Sequence, residues 1–186
     1  METKRLILRN WLPTDYHQFA ELNSDPTVME FFPKTLSQSE SNAFAEKSKT
    51  LISKNGWGLW AVEIKTRGSF IGYVGLHRPH LKYPFSPFVE IGWRLSKEFW
   101  GYGYATEAAR EALKFAFESL ELYEVVSFTS LQNKRSQSVM ERLDMINTQE
   151  NFKHPSLPDN HPLCEHVLYK ITKAMWNKTN HLHEGL

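Results

Sequence analysis

The residues from Trp100 to Ala109 read Trp-Gly-Tyr-Gly-Tyr-Ala-Thr-Glu-Ala-Ala, two alternating glycines followed by an alanine-rich helical pattern. Glycine reaches positive φ without steric cost and lets the backbone come close to a ligand. A helix that starts directly afterwards points its first free amides at that ligand, and its dipole favours an anion. The chemistry this serves is the cradling of a pyrophosphate by Trp100, Gly101, Tyr102, Gly103, Tyr104, Ala105 and Thr106. An ATPase-type phosphate loop needs Gly-Lys-Ser/Thr after the glycines, and none follows. A dinucleotide fingerprint needs a third Gly or Ala at position 106, which is Thr106. Taken alone, Gly-x-Gly is equally a turn feeding a helix.

A carboxylate and a hydroxyl lie on either side of this loop in sequence. The run Phe88 to Leu95 alternates at the strand period. Val89, Ile91, Trp93 and Leu95 share one face, and Phe88, Glu90, Gly92 and Arg94 the other. A carboxylate held near a reacting group can take its proton directly or through water. Glu90 is the candidate; its alternative is an exposed or cross-strand-paired glutamate. After the loop, Ala105, Ala108, Ala109, Ala112, Leu113, Ala116, Phe117 and Leu120 form one helical stripe. Glu124 to Thr129 reads as the next strand, and Asn133 and Ser136 open the helix after it. On local grounds Asn133 is an N-cap and Ser136 a first-turn residue bonding its own backbone.

In combination these motifs resemble the GNAT superfamily of N-acetyltransferases, on the branch of the ribosomal-protein N-terminal acetyltransferases. Trp100, Gly101, Gly103 and Ala105 match the branch's Trp-Gly-x-Gly-x-Ala loop. Glu90 matches the Glu-Ile-Gly-Trp/Tyr strand, and Asn133 and Ser136 the Asn-x-x-Ser helix start. The resemblance runs from about Thr3 to Ile171. It implies acetyl-CoA as co-substrate, with its pyrophosphate on the Trp100–Thr106 loop and its pantetheine on Asn133 and the amides of Leu95, Ser96 and Lys97. It implies Glu90 as the base and Ser136 as the group facing the departing sulfur. The implied fold is a single-domain α/β (α+β) architecture over 1–171. A mixed, mostly antiparallel sheet of about seven strands is flanked by helices, with a V-shaped cleft for CoA; 172–186 is read as a polar tail. The implied reaction is direct attack of a primary amine on the thioester in a ternary complex. A non-catalytic CoA-binding sensor or interaction module is the rival reading. Two departures stand out. Trp100 occupies a position that is often Gln or Arg, and Asp144 replaces the Gly usual at the end of the second helix, where a left-handed residue is expected.

The acceptor is left open. A protein N-terminus, a polyamine, an amino acid or an antibiotic amine all suit such a core. Phe31, Phe32, His154 and His161 are weak candidates to line its pocket. The segment from Phe152 to His166 holds three His, one Cys and two acids, but its spacings match no standard zinc pattern, so no metal is expected.

The other elements follow from local signals. Leu6 to Leu8, Leu59 to Ile64, Phe70 to Leu76 and Val167 to Ile171 read as strands. Ser37-Gln38-Ser39-Glu40 is a capping box opening a helix to about Ser53. Asp25-Pro26 is expected to cap a further helical turn through Phe32. The 186 residues fit one domain, and 41% hydrophobic with 13% aromatic content marks a globular chain. A net charge of +1 with no basic block recommends neither nucleic acid nor an anionic membrane as partner. The lone Cys164 fits a reducing cytoplasm, and the expected assembly is a monomer or homodimer.

Overall fold

Hydrogen bonding at chain reversals fixes the register of the elements that carry the candidate residues. The computed structural model describes residues 1–183. Its tertiary contacts divide the chain into two units, the first made of Met1–His77 with Gly92–Ala112, the second of Arg78–Ile91 with the chain from Leu113 onward.

In the first unit β1 (Leu6–Arg9), β2 (Leu59–Ile64) and β3 (Ser69–His77) form an antiparallel series. The last four residues of β4 (Glu90–Leu95) follow β3 in strand order. Helices α1 (Asp15–Ser24) and α2 (Gln38–Asn55) lie between β1 and β2 in sequence. The capping box that opens α2 forms as expected, with Ser37 and Glu40 each satisfying the other's backbone amide. Gly56 closes the helix at φ 78°. The Asp25 side chain accepts from the Thr27 amide, but Met29 to Phe32 form separate turns and no further helix. At Gly72, with φ 133°, an added Cβ would fall 2.1 Å from the Arg94 carbonyl oxygen. Only glycine lets β3 approach β4 this closely.

In the second unit the start of β4 pairs in parallel with β5 (Glu124–Ser130), Glu90 lying opposite Val126. Strand β8 (Glu165–Thr172) runs antiparallel to β5 along its whole length. The two-residue strands β6 (Ile146–Asn147) and β7 (Phe152–Lys153) both pair with β8. The sheet is therefore mixed and mostly antiparallel, as expected, with eight strands instead of about seven.

Helix α3 (Tyr104–Glu118) buries six of the eight residues of its predicted stripe: Ala108, Ala109, Ala112, Leu113, Ala116 and Phe117 have no exposed surface, while Ala105 and Leu120, the latter beyond the helix end, are half-buried. The stretch read as a polar tail is different. Residues 184–186 lie outside the described residues, and Lys173–His183 forms helix α5. Trp176 is buried there with its ring 5.7 Å from that of Phe117. Its average polarity hid one aromatic anchor, and one buried tryptophan is enough to hold a short helix in place. Among the described residues no helix is long and apolar enough to cross a membrane.

Helix α4 (Lys134–Arg142) ends in a Schellman arrangement. The Asp144 amide donates to Glu141 O at 3.0 Å and the Met145 amide to Met140 O at 3.1 Å. Asp144 sits at φ 61°, the left-handed conformation that glycine adopts without strain. Asp144→Gly is expected to stabilise the protein by roughly 1 kcal/mol without altering activity. Urea unfolding should show a raised midpoint at unchanged slope; a lower midpoint would mean that the Asp144 side chain stabilises the turn more than its backbone strains it.

Candidate active site

In the first unit a 3-10 turn at Lys97–Phe99 links β4 to the glycine loop. Trp100 donates from its indole Nε1 to Leu95 O at 2.8 Å, so this residue ties the loop to the end of the strand. Gly101 and Gly103 have φ of 81° and 78°. Both positive values precede the first helical residue, Tyr104, and the first intrahelical bond is Glu107 N to Gly103 O at 3.0 Å. The amides of Tyr104, Ala105 and Thr106 thus lie in the turn that a helix cannot satisfy from within.

The acid in that turn is turned elsewhere. Glu107 accepts from Thr3 Oγ1 at 2.6 Å, from the Arg5 amide at 2.8 Å and from Arg5 Nε at 2.6 Å. These bonds hold its carboxyl below the ordinary range against the opposing effect of burial, which is the largest single influence on it. Its negative charge is bound to the N-terminal segment and does not compete for the loop amides. Arg5 also lies over the Tyr104 ring at 4.6 Å, and Tyr104 stacks on Tyr102.

Of the three amides expected to hold the pantetheine, that of Ser96 is already committed. It donates to Ile71 O on β3 at 3.0 Å. The backbone bond that seats β4 thus uses the Ser96 amide.

In the second unit burial pushes the Glu90 carboxyl well above the ordinary carboxylate range. A base whose pKa rises towards the working pH can both take a proton and release it. Ser127 Oγ donates to Ile91 O at 2.9 Å and the Val126 amide to Val89 O at 3.0 Å, so Glu90 is fixed between two bonded neighbours.

Asn133 caps α4, and its bonds decide the direction of the Ser136 hydroxyl. The Ser136 amide can only donate, so the Asn133 atom 3.1 Å from it is Oδ1. The other side-chain atom is then Nδ2, which donates to Thr129 Oγ1 at 2.9 Å and to Ser136 Oγ at 3.1 Å. Ser136 Oγ therefore receives one hydrogen and keeps its own to give. Both Nδ2 hydrogens of Asn133 are used within the protein; only its Oδ1 retains capacity for a ligand.

Sequence patterns gave no sign of an aromatic cluster in the same unit. Tyr83, Val126, Phe152 and Leu168 form a buried group with Phe85, Phe88 and Phe128 packed against it. His154 joins it, with Nε2 3.0 Å from Tyr83 Oη, and the Ser156 amide donates to His154 Nδ1. Nδ1 is thus the acceptor, and Nε2–H donates to the tyrosine. Burial, then His166, lowers His154 to about 4, and burial, then the Glu90 charge, raises Tyr83 to about 12. Both are neutral near pH 7. His161 takes part only in its own loop, accepting from the Leu163 amide at Nδ1. Phe32 belongs to the first unit, where the Arg94 guanidinium lies 4.0 Å from its ring centroid.

The family model for the acetyltransferase (GNAT) domain matches residues 5–146. The chain belongs to the GNAT acetyltransferase family. It is 26% identical over 176 residues to the uncharacterized N-acetyltransferase YnaD of Bacillus subtilis, covering 94% of this chain and 98% of that protein. It is 31% identical over 163 residues to FsC-acetyl coenzyme A-N(2)-transacetylase of Aspergillus fumigatus, covering 84% and 68%. A GNAT-family acetyltransferase structure from Bacillus anthracis superposes with a TM-score of 0.78 at 24% identity, covering 94% and 98%, and so shares the fold. GNAT enzymes use acetyl-CoA as co-substrate.

Glu90 also makes a prediction about stability. Its folded pKa lies above its unfolded one, so its contribution is fully present below the unfolded value, near ~4.3, and is lost as pH rises through the folded value. Glu90→Gln removes that loss. Melting temperatures should therefore diverge as pH rises from 5 to 8, the variant becoming relatively more stable. A constant difference across that range would show that Glu90 is ionised at its ordinary pKa.

Proposed function

We propose that this GNAT protein transfers the acetyl group of acetyl-CoA to a primary amine by direct attack. The observation that carries the reading is the glycine loop. Two left-handed residues lead into a helix whose first amides lie in its unsatisfied turn, and Glu107 is bound to Arg5 and Thr3. Amides so arranged suit a pyrophosphate. The resemblance assigns the pantetheine to Asn133, whose Oδ1 retains capacity for a ligand.

The chain's own residues then divide the proton work. An α-amine, with a reference pKa near ~8, is mostly protonated at pH 7, so Glu90 takes its proton before or during attack. As the thioester C–S bond breaks, the sulfur gains negative charge. Ser136 donates a hydrogen bond to it through the hydroxyl hydrogen that Asn133 leaves available, and the second amine proton, lost as the amide forms, neutralises the sulfur so that CoA leaves as the thiol. No covalent acetyl-enzyme is needed, and Cys164 is buried, outside these groups. The family resemblance favours a protein N-terminus as acceptor.

Calorimetry should show micromolar binding of acetyl-CoA and none of ATP or NAD. Failure to bind acetyl-CoA would reduce the loop to a turn and remove the reading. Glu90→Gln should keep that affinity and lose about 10²–10⁴-fold in kcat. Undiminished turnover in this variant would take Glu90 out of the mechanism. Ser136→Ala should lower kcat far more than it changes acetyl-CoA affinity; the reverse pattern would make Ser136 a binding residue only.

A further inference from the structure

Among the described residues, Arg94 is a buried cation with no anion paired to it. Only 8% of it is exposed. Its Nη1 donates to Asn23 Oδ1 at 2.6 Å; Asn23 is neutral and fully buried, and its Nδ2 donates onward to Ser41 Oγ. Its Nε is buried with no hydrogen-bond partner. Among the described residues no carboxylate pairs with it and Nη2 makes no hydrogen bond. Aromatic rings surround the group, with Phe32, Tyr73 and Phe44 centroids at 4.0, 5.5 and 5.8 Å. Their π-faces offset part of the desolvation cost, but they do not accept the in-plane N–H bonds.

The pattern of used and unused donors is specific. Nη1 lies on the Cδ side of the guanidinium, and that side is taken by Asn23. Nε and Nη2 lie along the opposite edge, where two parallel N–H groups match the two oxygens of a carboxylate. This whole edge is unused. All the residues that build the setting belong to the first unit: Asn23 on α1, Phe32 after it, Phe44 on α2, Tyr73 on β3 and Arg94 on β4. Phe32 and Phe44 are half-buried, and of the two unused donors only Nε is fully enclosed.

We propose that the Nε–Nη2 edge of Arg94 binds the carboxylate of the acceptor, so that the enzyme acetylates amines that carry an acidic group. This rests on the acetyltransferase reading above. A small amino acid and a peptide N-terminus followed by an acidic side chain share this chemistry.

The test titrates the Arg94 Nε–H resonance, assigned by its loss in Arg94→Lys, with matched probes. One pair is 4-(aminomethyl)benzoate and 4-(aminomethyl)benzamide; the other is the peptides Ser-Asp-Ala-Ala and Ser-Asn-Ala-Ala, both C-terminally amidated. The carboxylate member of at least one pair should move the resonance, with the neutral member inert, and the responding pair tells small acceptor from peptide. No response to either carboxylate, or equal responses within a pair, would overturn the proposal. Asn23→Asp supplies the missing anion from within the chain, at the atom Nη1 already touches. It should raise the melting temperature and weaken the responding carboxylate at least tenfold. A raised melting temperature with unchanged ligand affinity would mean that Arg94 serves the core alone, which also overturns it. Acetyl-CoA calorimetry on the same samples reports the acetyltransferase reading separately, since the probe titrations need no turnover.

Discussion

Taking a charge out of water is costly, and β4 meets that cost at Arg94, which is buried, and at Glu90, which is half-buried. Strand parity puts Glu90, Gly92 and Arg94 on the same side. The two charged groups answer the cost differently. A carboxylic acid can stay protonated, and burial moves Glu90 that way. A guanidinium cannot shed its charge, so Arg94 is surrounded by aromatic faces and one amide oxygen. Neither arrangement is one that selection for stability alone would favour, because an apolar side chain of similar volume avoids the cost altogether. Gly72 fits the same account. The strand beside β4 gives up a side chain so that the Arg94 carbonyl can sit where a Cβ would be.

Much of the loop chemistry was legible because it is local. Positive φ at Gly101 and Gly103, the alanine stripe of α3, the capping box at Ser37 and the left-handed Asp144 all depend on neighbours within a few residues. Signals of that kind survive in a sequence read without its fold. The polar constellations were less legible because their members come from distant segments. Tyr83 meets His154 across 71 positions, and Arg94 meets Asn23 across 71 as well. Arg94 was placed on the face of Glu90 by periodicity, and that was the available hint, since a strand face holding a base and a cation is unusual for a solvated edge. The tail failed for the opposite reason: average polarity was read where one residue, Trp176, decides the structure.

The departure at Trp100 also resolves physically. A polar side chain at that position adds to what a loop can offer a ligand. Trp100 instead spends its one donor on Leu95 O, fixing the strand end against the loop start. The amides of Leu95 and Lys97 and those of Tyr104 to Thr106 are then held by one indole bond and one 3-10 turn. Preorganised donors bind without a further ordering cost, which offsets the loss of one side-chain contact.

Ser136 shows how little is required of a side chain once its partners are set. A serine hydroxyl rotates freely and can give its hydrogen to any nearby acceptor, including the carbonyls of its own helix. Asn133 narrows that choice. Its Oδ1 is claimed by the Ser136 amide, which forces Nδ2 onto the Ser136 oxygen and fills that lone pair. The N-cap and the catalytic reading therefore describe one network, not two competing ones. The cap supplies the orientation, and the hydroxyl keeps the donor that the proposed mechanism assigns to the departing thiolate. An asparagine fits both requirements because it carries an acceptor and a donor on one rigid plane. Aspartate would cap the helix equally well, but with no N–H to give, it would draw the serine hydrogen towards itself.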